Sequence, residues 1–248
     1  FADKYSAKHV QYDAISYQGM LDANDESFGQ RVLPTYQLDK ADVLVSFGAD
    51  FLGSWLNTSF EKEYIANRNP KSGKMSRHFQ IETNMSLSGS NADVRIPVKP
   101  TEKLSLLQNV YDALKGNASA NDKVKDIVSE LSSAKGKSLV ICDSNDKAVQ
   151  IMVNAINDML GNYGKTIDMG QPSLLKAGDD KAVAQLIKDM NDGKVGALIM
   201  SGVNPSYTLA NADAFNAGLK KVSLTVSTAL SMDETSANVE YVCPDRHY

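Results

Sequence analysis

Two glycines stand where a polypeptide chain can come close to a phosphate. Gly48 ends the apolar run Val43-Leu44-Val45-Ser46-Phe47, and Gly202 follows Ala197-Leu198-Ile199-Met200-Ser201. At the carboxyl end of a strand, a glycine lets the backbone approach an anion that a side chain would hold off. The two positions are not equivalent. Gly48 is followed by Ala49-Asp50-Phe51-Leu52-Gly53, and the Asp50 carboxylate would repel a dinucleotide phosphate in a partly dry site. Gly202 is followed by Val203-Asn204-Pro205-Ser206, which is neutral and compatible with a phosphate. Neither glycine belongs to a Gly-x-Gly-x-x-Gly fingerprint and no P-loop exists, so each also reads as a plain turn.

The remaining reactive side chains are scattered. His9, His78 and His247 are isolated, and no carboxylate–His–nucleophile spacing can be read; they are expected at the surface or hydrogen-bonded. Glu82 closes a short run from Arg77, where such folds hold a ribose or a base, and reads equally as a surface carboxylate. Cys142 and Cys243 are the only cysteines. Two thiolates do not ligate an iron–sulfur cluster, and their separation fits neither zinc nor a Cys-x-x-Cys pair. Cys142, inside Leu139-Val140-Ile141-Cys142, is expected to be a small buried side chain. Trp55, with Phe51, Leu52 and Phe60, is expected to pack in the core or against a partner.

Continuous apolar runs must position these residues. Ala41–Gly48, Lys137–Asp143, Val195–Gly202 and Val222–Ser227 lack polar alternation, which suits strands buried on both faces of a parallel sheet. Shorter strands are expected to end at Glu82 and to begin near Asp93 and Glu240. Between them lie helical faces: Leu104, Leu107, Val110, Tyr111 and Leu114; Met152, Val153, Ile156 and Leu160, closed by Gly161; and Val183, Leu186, Ile187 and Met190. The segment Lys115–Lys135 reads as a mobile connection plus one surface helix, and Asn67–Lys74 as a solvated loop. A repeat also shows. Val43–Asp50 resembles Ala197–Asn204, and each is followed by a matching tail, Asn91–Pro97 and Ala237–Pro244, so two related nucleotide-fold lobes are expected.

The bulk numbers agree with an ordinary globular chain. Of 248 residues 42% are apolar and 23% charged, and the net charge of -4 argues against a nucleic-acid partner. No stretch approaches the length of a membrane helix, and no secretory signal stands at Phe1.

Read in order, these residues resemble the cofactor-binding middle region of the molybdopterin oxidoreductases. The likeness is carried by Gly48-Ala49-Asp50, Glu82-Thr83-Asn84, Ala92–Pro100, Leu160-Gly161-Asn162-Tyr163-Gly164, and Gly202–Pro205 followed by Glu234–Val239. Within that family Ser27–Tyr36, Ser46–Trp55 and Met75–Gln80 resemble the large iron–sulfur subunit of alternative complex III. The resemblance implies an α/β fold of two Rossmann-like lobes with mainly parallel sheets, residues 1–168 and an incomplete 169–248. It implies a fragment of a quinol-oxidising respiratory complex on the periplasmic side of the inner membrane, with other subunits as partners and iron–sulfur clusters elsewhere in the parent. It also implies molybdopterin guanine dinucleotide, against which three departures stand. Tyr17, with Ser16 beside it, takes the place of the Cys, selenocysteine or Ser metal ligand, and a tyrosine substitutes poorly for a soft thiolate. Asp50-Phe51 replaces Asn-Pro, and Glu82-Thr83-Asn84 replaces Asp-Pro-Arg. A non-catalytic scaffold is therefore expected, with a vestigial cofactor half-site at Gly202, Asn204, Pro205, Glu234 and Thr235. The alternatives are a fragment of an active molybdenum enzyme and a nucleotide-binding module of another class, such as the middle domain of a thiamine-diphosphate enzyme.

Overall fold

The computed structural model describes residues 2–56, 60–73, 75–117 and 121–246. His247 and Lys74 of the sequence reading lie outside them. Two compact units emerge: one joins residues 1–16 to Ala177–Tyr248, and the other spans Tyr17–Lys176. The chain opens with the single turn α1 (Ala2–Tyr5), which belongs to the first of these.

The Tyr17–Lys176 unit is built on one sheet. Helix α2 (Gln18–Phe28) ends where Gly29 turns left-handed at φ 68, and leads into β1 (Leu33–Tyr36) and β2 (Val43–Phe47). Then come α3 (Phe60–Ala66), β3 (Arg77–Glu82), the short α4 (Leu87–Ser90) and β4 (Val94–Pro97). Helices α5 (Pro100–Leu114) and α6 (Asp122–Ser133) precede β5 (Ser138–Cys142), and α7 (Lys147–Met159) precedes β6 (Ile167–Ser173). The order β4-β3-β2-β5 is parallel throughout, with Phe47 level with Ile81 on one side and Cys142 on the other. β1 and β6 form a separate antiparallel pair.

Alternation along the strands explains the burial. Val43, Val45, Phe47, Val140 and Cys142 point into one core with α5, α6 and α7, where Leu107, Val110, Ile127, Leu131 and Ile156 meet them. Leu44, Leu139 and Ile141 point into a second core with Leu21, Tyr36, Phe51, Trp55, Phe60 and Tyr64. Every residue of β2 and β5 is buried, as a parallel sheet covered on both faces requires. Trp55 lies between Tyr36 and Phe60, with ring centroids 5.3 and 5.8 Å away, so it is a core residue. Helix α6 is the surface helix expected in this segment, with one face turned inward. Its Val124, Ile127 and Leu131 face the sheet at i, i+3 and i+7 and are fully buried. The outer edge of β5 is sealed by side chains: Asn157 accepts from the Val140 N–H at 3.0 Å and donates to the Val140 carbonyl at 2.8 Å, and Thr166 donates to the Ser138 carbonyl.

The other unit holds α8 (Asp180–Asn191), β7 (Ala197–Met200), α9 (Pro205–Thr208), α10 (Ala212–Leu219), β8 (Leu224–Ser227) and β9 (Tyr241–Val242). Its strands are parallel in the order β7-β8-β9. Met190, Met200, Phe215, Leu219 and Val222 form the core between sheet and helices. The opposite face is bare. Ile199 is 51% exposed, Leu224 40% and Tyr241 51%. Residues 2–16 fold against this unit, where the Asp13 carboxylate accepts from the Ala177 and Gly178 amides and the Ser16 hydroxyl donates to Asp180.

Candidate functional site

In open α/β sheets ligands bind beyond the carboxyl ends of the strands, at the point where connections leave for opposite faces. In the Tyr17–Lys176 unit that point lies between β2 and β5. The chain after β2 runs to α3, whose Phe60 and Tyr64 join one core, and the chain after β5 runs to α7, whose Val153 and Ile156 join the other. Gly48 follows β2 and adopts φ 80, a left-handed conformation natural to glycine. A Cβ there would lie 2.3 Å from Asp143 Oδ2 and 2.7 Å from Lys103 Nζ. The space beside the glycine thus belongs to an ion pair, in which Lys103 donates to Asp143 Oδ1 at 2.5 Å.

The neighbouring strand ends are closed in the same way. Asp50 accepts from the Ser88 amide at 2.9 Å and hydroxyl at 2.8 Å, and Ser88 Oγ accepts from the Leu52 amide. Phe51 and Leu52 turn inward and are buried. Glu82, with 4% of its side chain exposed, accepts from Arg95 Nε at 2.6 Å and from the Ser86 hydroxyl at 2.6 Å. Burial alone would raise its pKa, but these hydrogen bonds prevail and hold the carboxyl below the usual range. The surface reading of Glu82 is therefore corrected: the carboxylate is internal and paired.

Behind Glu82 runs a polar thread that spacing did not reveal. His78, Gln80 and Glu82 share one face of β3 and are all buried. His78 Nδ1 lies 3.0 Å from the Tyr64 hydroxyl, its Nε2 lies 3.1 Å from Gln80 Oε1, and Gln80 donates to Glu82. Burial pushes the imidazole down to about 4, which keeps it neutral at ordinary pH. No serine or cysteine hydrogen-bonds to it among the described residues; the hydroxyl beside it is that of Tyr64, which burial pushes up to about 12. His9 is exposed. Tyr17, the residue aligned with a metal ligand, accepts from the Leu56 amide at 3.4 Å. Gly19 beside it is required by close packing, since a Cβ would lie 2.0 Å from the Asn145 carbonyl oxygen.

In the other unit the sequence-derived residues come together. Asn204 precedes α9 and Pro205 is its buried first residue, while Glu234 and Thr235 lie in the loop after β8. Asn204 donates to Glu234 at 2.7 Å and accepts from the Thr235 hydroxyl at 2.7 Å and amide at 3.2 Å. The Ser206 amide donates to Thr235 Oγ1. These groups spend their hydrogen bonds on one another and clasp two strand-end loops. The Asn204 hydrogen bond holds the exposed Glu234 carboxyl below its ordinary range. Gly202 stands apart from the clasp, at φ 66 with open space around it. It borders a cavity of about 460 Å³ with Ser201, Thr228, Ser231, Asp233 and Arg246. Asp233 is itself turned toward the Ser236 amide and hydroxyl, both at 2.7 Å. Among the described residues no cluster of three or more His, Cys, Asp or Glu side chains is arranged to hold a metal ion.

No protein-family model matches the chain, and no curated protein sequence matches it. Solved structures do. One is the formyltransferase/hydrolase complex (FhcABCD) from Methylorubrum extorquens in complex with methylofuran, matched with a TM-score of 0.58 and 13% identity over 94% of this chain and 70% of that one. At such identity the likeness concerns the fold, and it agrees with the α/β, Rossmann-like architecture seen here. It overturns the resemblance to alternative complex III, together with the respiratory, quinol-oxidising and iron–sulfur setting drawn from it. The physical reason is that Ser46–Trp55 and Met75–Gln80 are a buried strand with its turn and the start of a second strand; such segments report the sheet they build rather than the assembly it joins. Among the described residues no helix is long and apolar enough to cross a membrane.

Proposed function

We propose that this chain is a non-catalytic scaffold component of a multi-subunit enzyme, a molybdopterin oxidoreductase-like fold that does not hold the pterin cofactor. One observation carries the reading: at the ends of β2, β3 and β5 the carboxylates of Asp50, Glu82 and Asp143 occupy the crevice and are satisfied by Ser88, Arg95 and Lys103. A dinucleotide phosphate entering there would find the glycine cradle filled by Asp143 and the donors Ser88, Arg95 and Lys103 already taken. The group fits no better at Tyr17, an oxygen donor already engaged by a backbone amide. The matched solved chain belongs to a structure named as a formyltransferase/hydrolase complex, which suits a structural role in a complex.

A second reading keeps a nucleotide half-site beside Gly202, favoured by the open left-handed glycine on the cavity rim. Elemental mass spectrometry of the purified protein, with fluorescence after acid oxidation and nucleotide analysis of the same extract, tests both. Absence of molybdenum, tungsten and pterin is the expected result. Stoichiometric metal with pterin would sink the scaffold, and a guanine nucleotide without metal would favour the half-site.

A further inference from the structure

The three acids that close the strand ends are not anchored alike. Glu82 accepts hydrogen bonds from four separate donor groups, and Asp50 accepts two from Ser88. Asp143 has one strong partner, Lys103, and 36% of its side chain faces solvent. Lys103 behind it is only 19% exposed. It reaches the end of β2 from α5, and Gly48 offers a surface there without a Cβ.

We propose that Asp143 stands in for a ligand anion, and that Lys103 and Gly48 form behind it an anion site specific for a phosphoryl group, closed by this carboxylate in the protein as it stands. The inference rests on reading the Tyr17–Lys176 unit as a closed nucleotide fold. The position is the switch point between β2 and β5, where the register sets Phe47 level with Cys142 and so brings Gly48 beside Asp143. The charges are those of a phosphate site with the anion supplied from within: the ammonium of a lysine whose side chain is mostly covered, a left-handed glycine, and an oxygen anion 2.5 Å from the cation. Removing the carboxylate leaves the partly covered Lys103 without its ion-pair partner, and an incoming phosphoryl oxygen satisfies it.

Calorimetric titration of the full chain with inorganic pyrophosphate tests this. Asp143→Asn keeps the volume and removes the charge; Asp143→Ala also clears the space. Each is expected to bind pyrophosphate at least about tenfold more tightly than the unaltered protein, and Lys103→Ala added to either is expected to abolish the gain. ADP binding more tightly than pyrophosphate identifies a nucleotide site, and equal binding a site for the phosphoryl group alone. Should Asp143→Ala unfold, the near-isosteric Asp143→Asn carries the test. A folded Asp143→Asn that binds no better than the unaltered chain overturns the proposal, as does a gain that survives Lys103→Ala. The outcome is separable from the scaffold reading, because bound pterin is assayed on the unaltered protein and the anion site on the variants.

Discussion

The two parallel sheets follow one plan and finish it differently. In the Tyr17–Lys176 unit β2 and β5 are buried along their whole length, both faces are covered, and the edge strand β5 has its outward N–H and C=O groups taken by Asn157 and Thr166. In the other unit helices cover one face only. Ile199, Leu224 and Tyr241 lie open on the other, and among the described residues no side chain hydrogen-bonds to the backbone of β7. Both strand sets were drawn from equally apolar sequence. An unbroken apolar run therefore records a strand's demand for cover on two sides, and the demand is met in one unit and left open in the other.

That contrast can be broken at several points. The largest effect is expected at Phe47, which is completely buried between β2 and the helices of the closed unit. Phe47→Ala should lower the unfolding free energy by about 3–5 kcal/mol, read from urea denaturation through the fluorescence of Trp55, the only tryptophan and a member of the same unit. A loss below about 1 kcal/mol would mean that this sheet is not sealed. Next comes acid. His78 titrates near 4 in the fold against an ordinary value of 6.5, because burial disfavours its charge. The unfolded chain then takes up the proton first as pH falls. The stability tied to the neutral ring is whole above about 6.5 and is lost progressively toward 4, on the order of 3 kcal/mol in all. Unfolding free energies measured across that window should decline, and His78→Gln should flatten the decline; an unchanged slope in the variant would remove the histidine from the account. The smallest effect belongs to the open unit. Ile199→Ser is expected to shift the circular-dichroism unfolding midpoint by no more than about 0.5 kcal/mol equivalent, and a loss comparable to that at Phe47 would show that the bare face is covered in solution.

Of the nine strands among the described residues seven were legible: β2, β5, β7 and β8 as apolar runs, β3 as a short run ending at Glu82, and β4 and β9 as the matching tails of the repeat. β1 and β6 were not. Pro34 interrupts the one, and Gly170 and Pro172 the other, residues that argue against a strand unless it lies in a small irregular pair. Helix α2 escaped because Gln18–Phe28 carries few apolar residues and a glycine that only the nearby Asn145 carbonyl explains. At the candidate site, Asn204, Glu234 and Thr235 could be grouped because the resemblance to the molybdopterin oxidoreductases set Gly202–Pro205 together with Glu234–Val239. The Lys103–Asp143 pair could not, since forty positions separate its members and only the β2–β5 register joins them. The polar alternation of His78, Gln80 and Glu82 looks in sequence like a solvated strand face, and tertiary packing of Phe51 and Tyr64 against it decides otherwise.

The two cysteines inherit this asymmetry. Cys142 is buried at the end of β5 with its thiol pushed up to about 11 by burial, whereas Cys243 is exposed just past β9. At neutral pH a maleimide meets one reactive sulfur rather than two. The protein thus carries its own single attachment point for a fluorophore or spin label, placed beside the sheet whose open face most needs a reporter, with no residue to be introduced or removed.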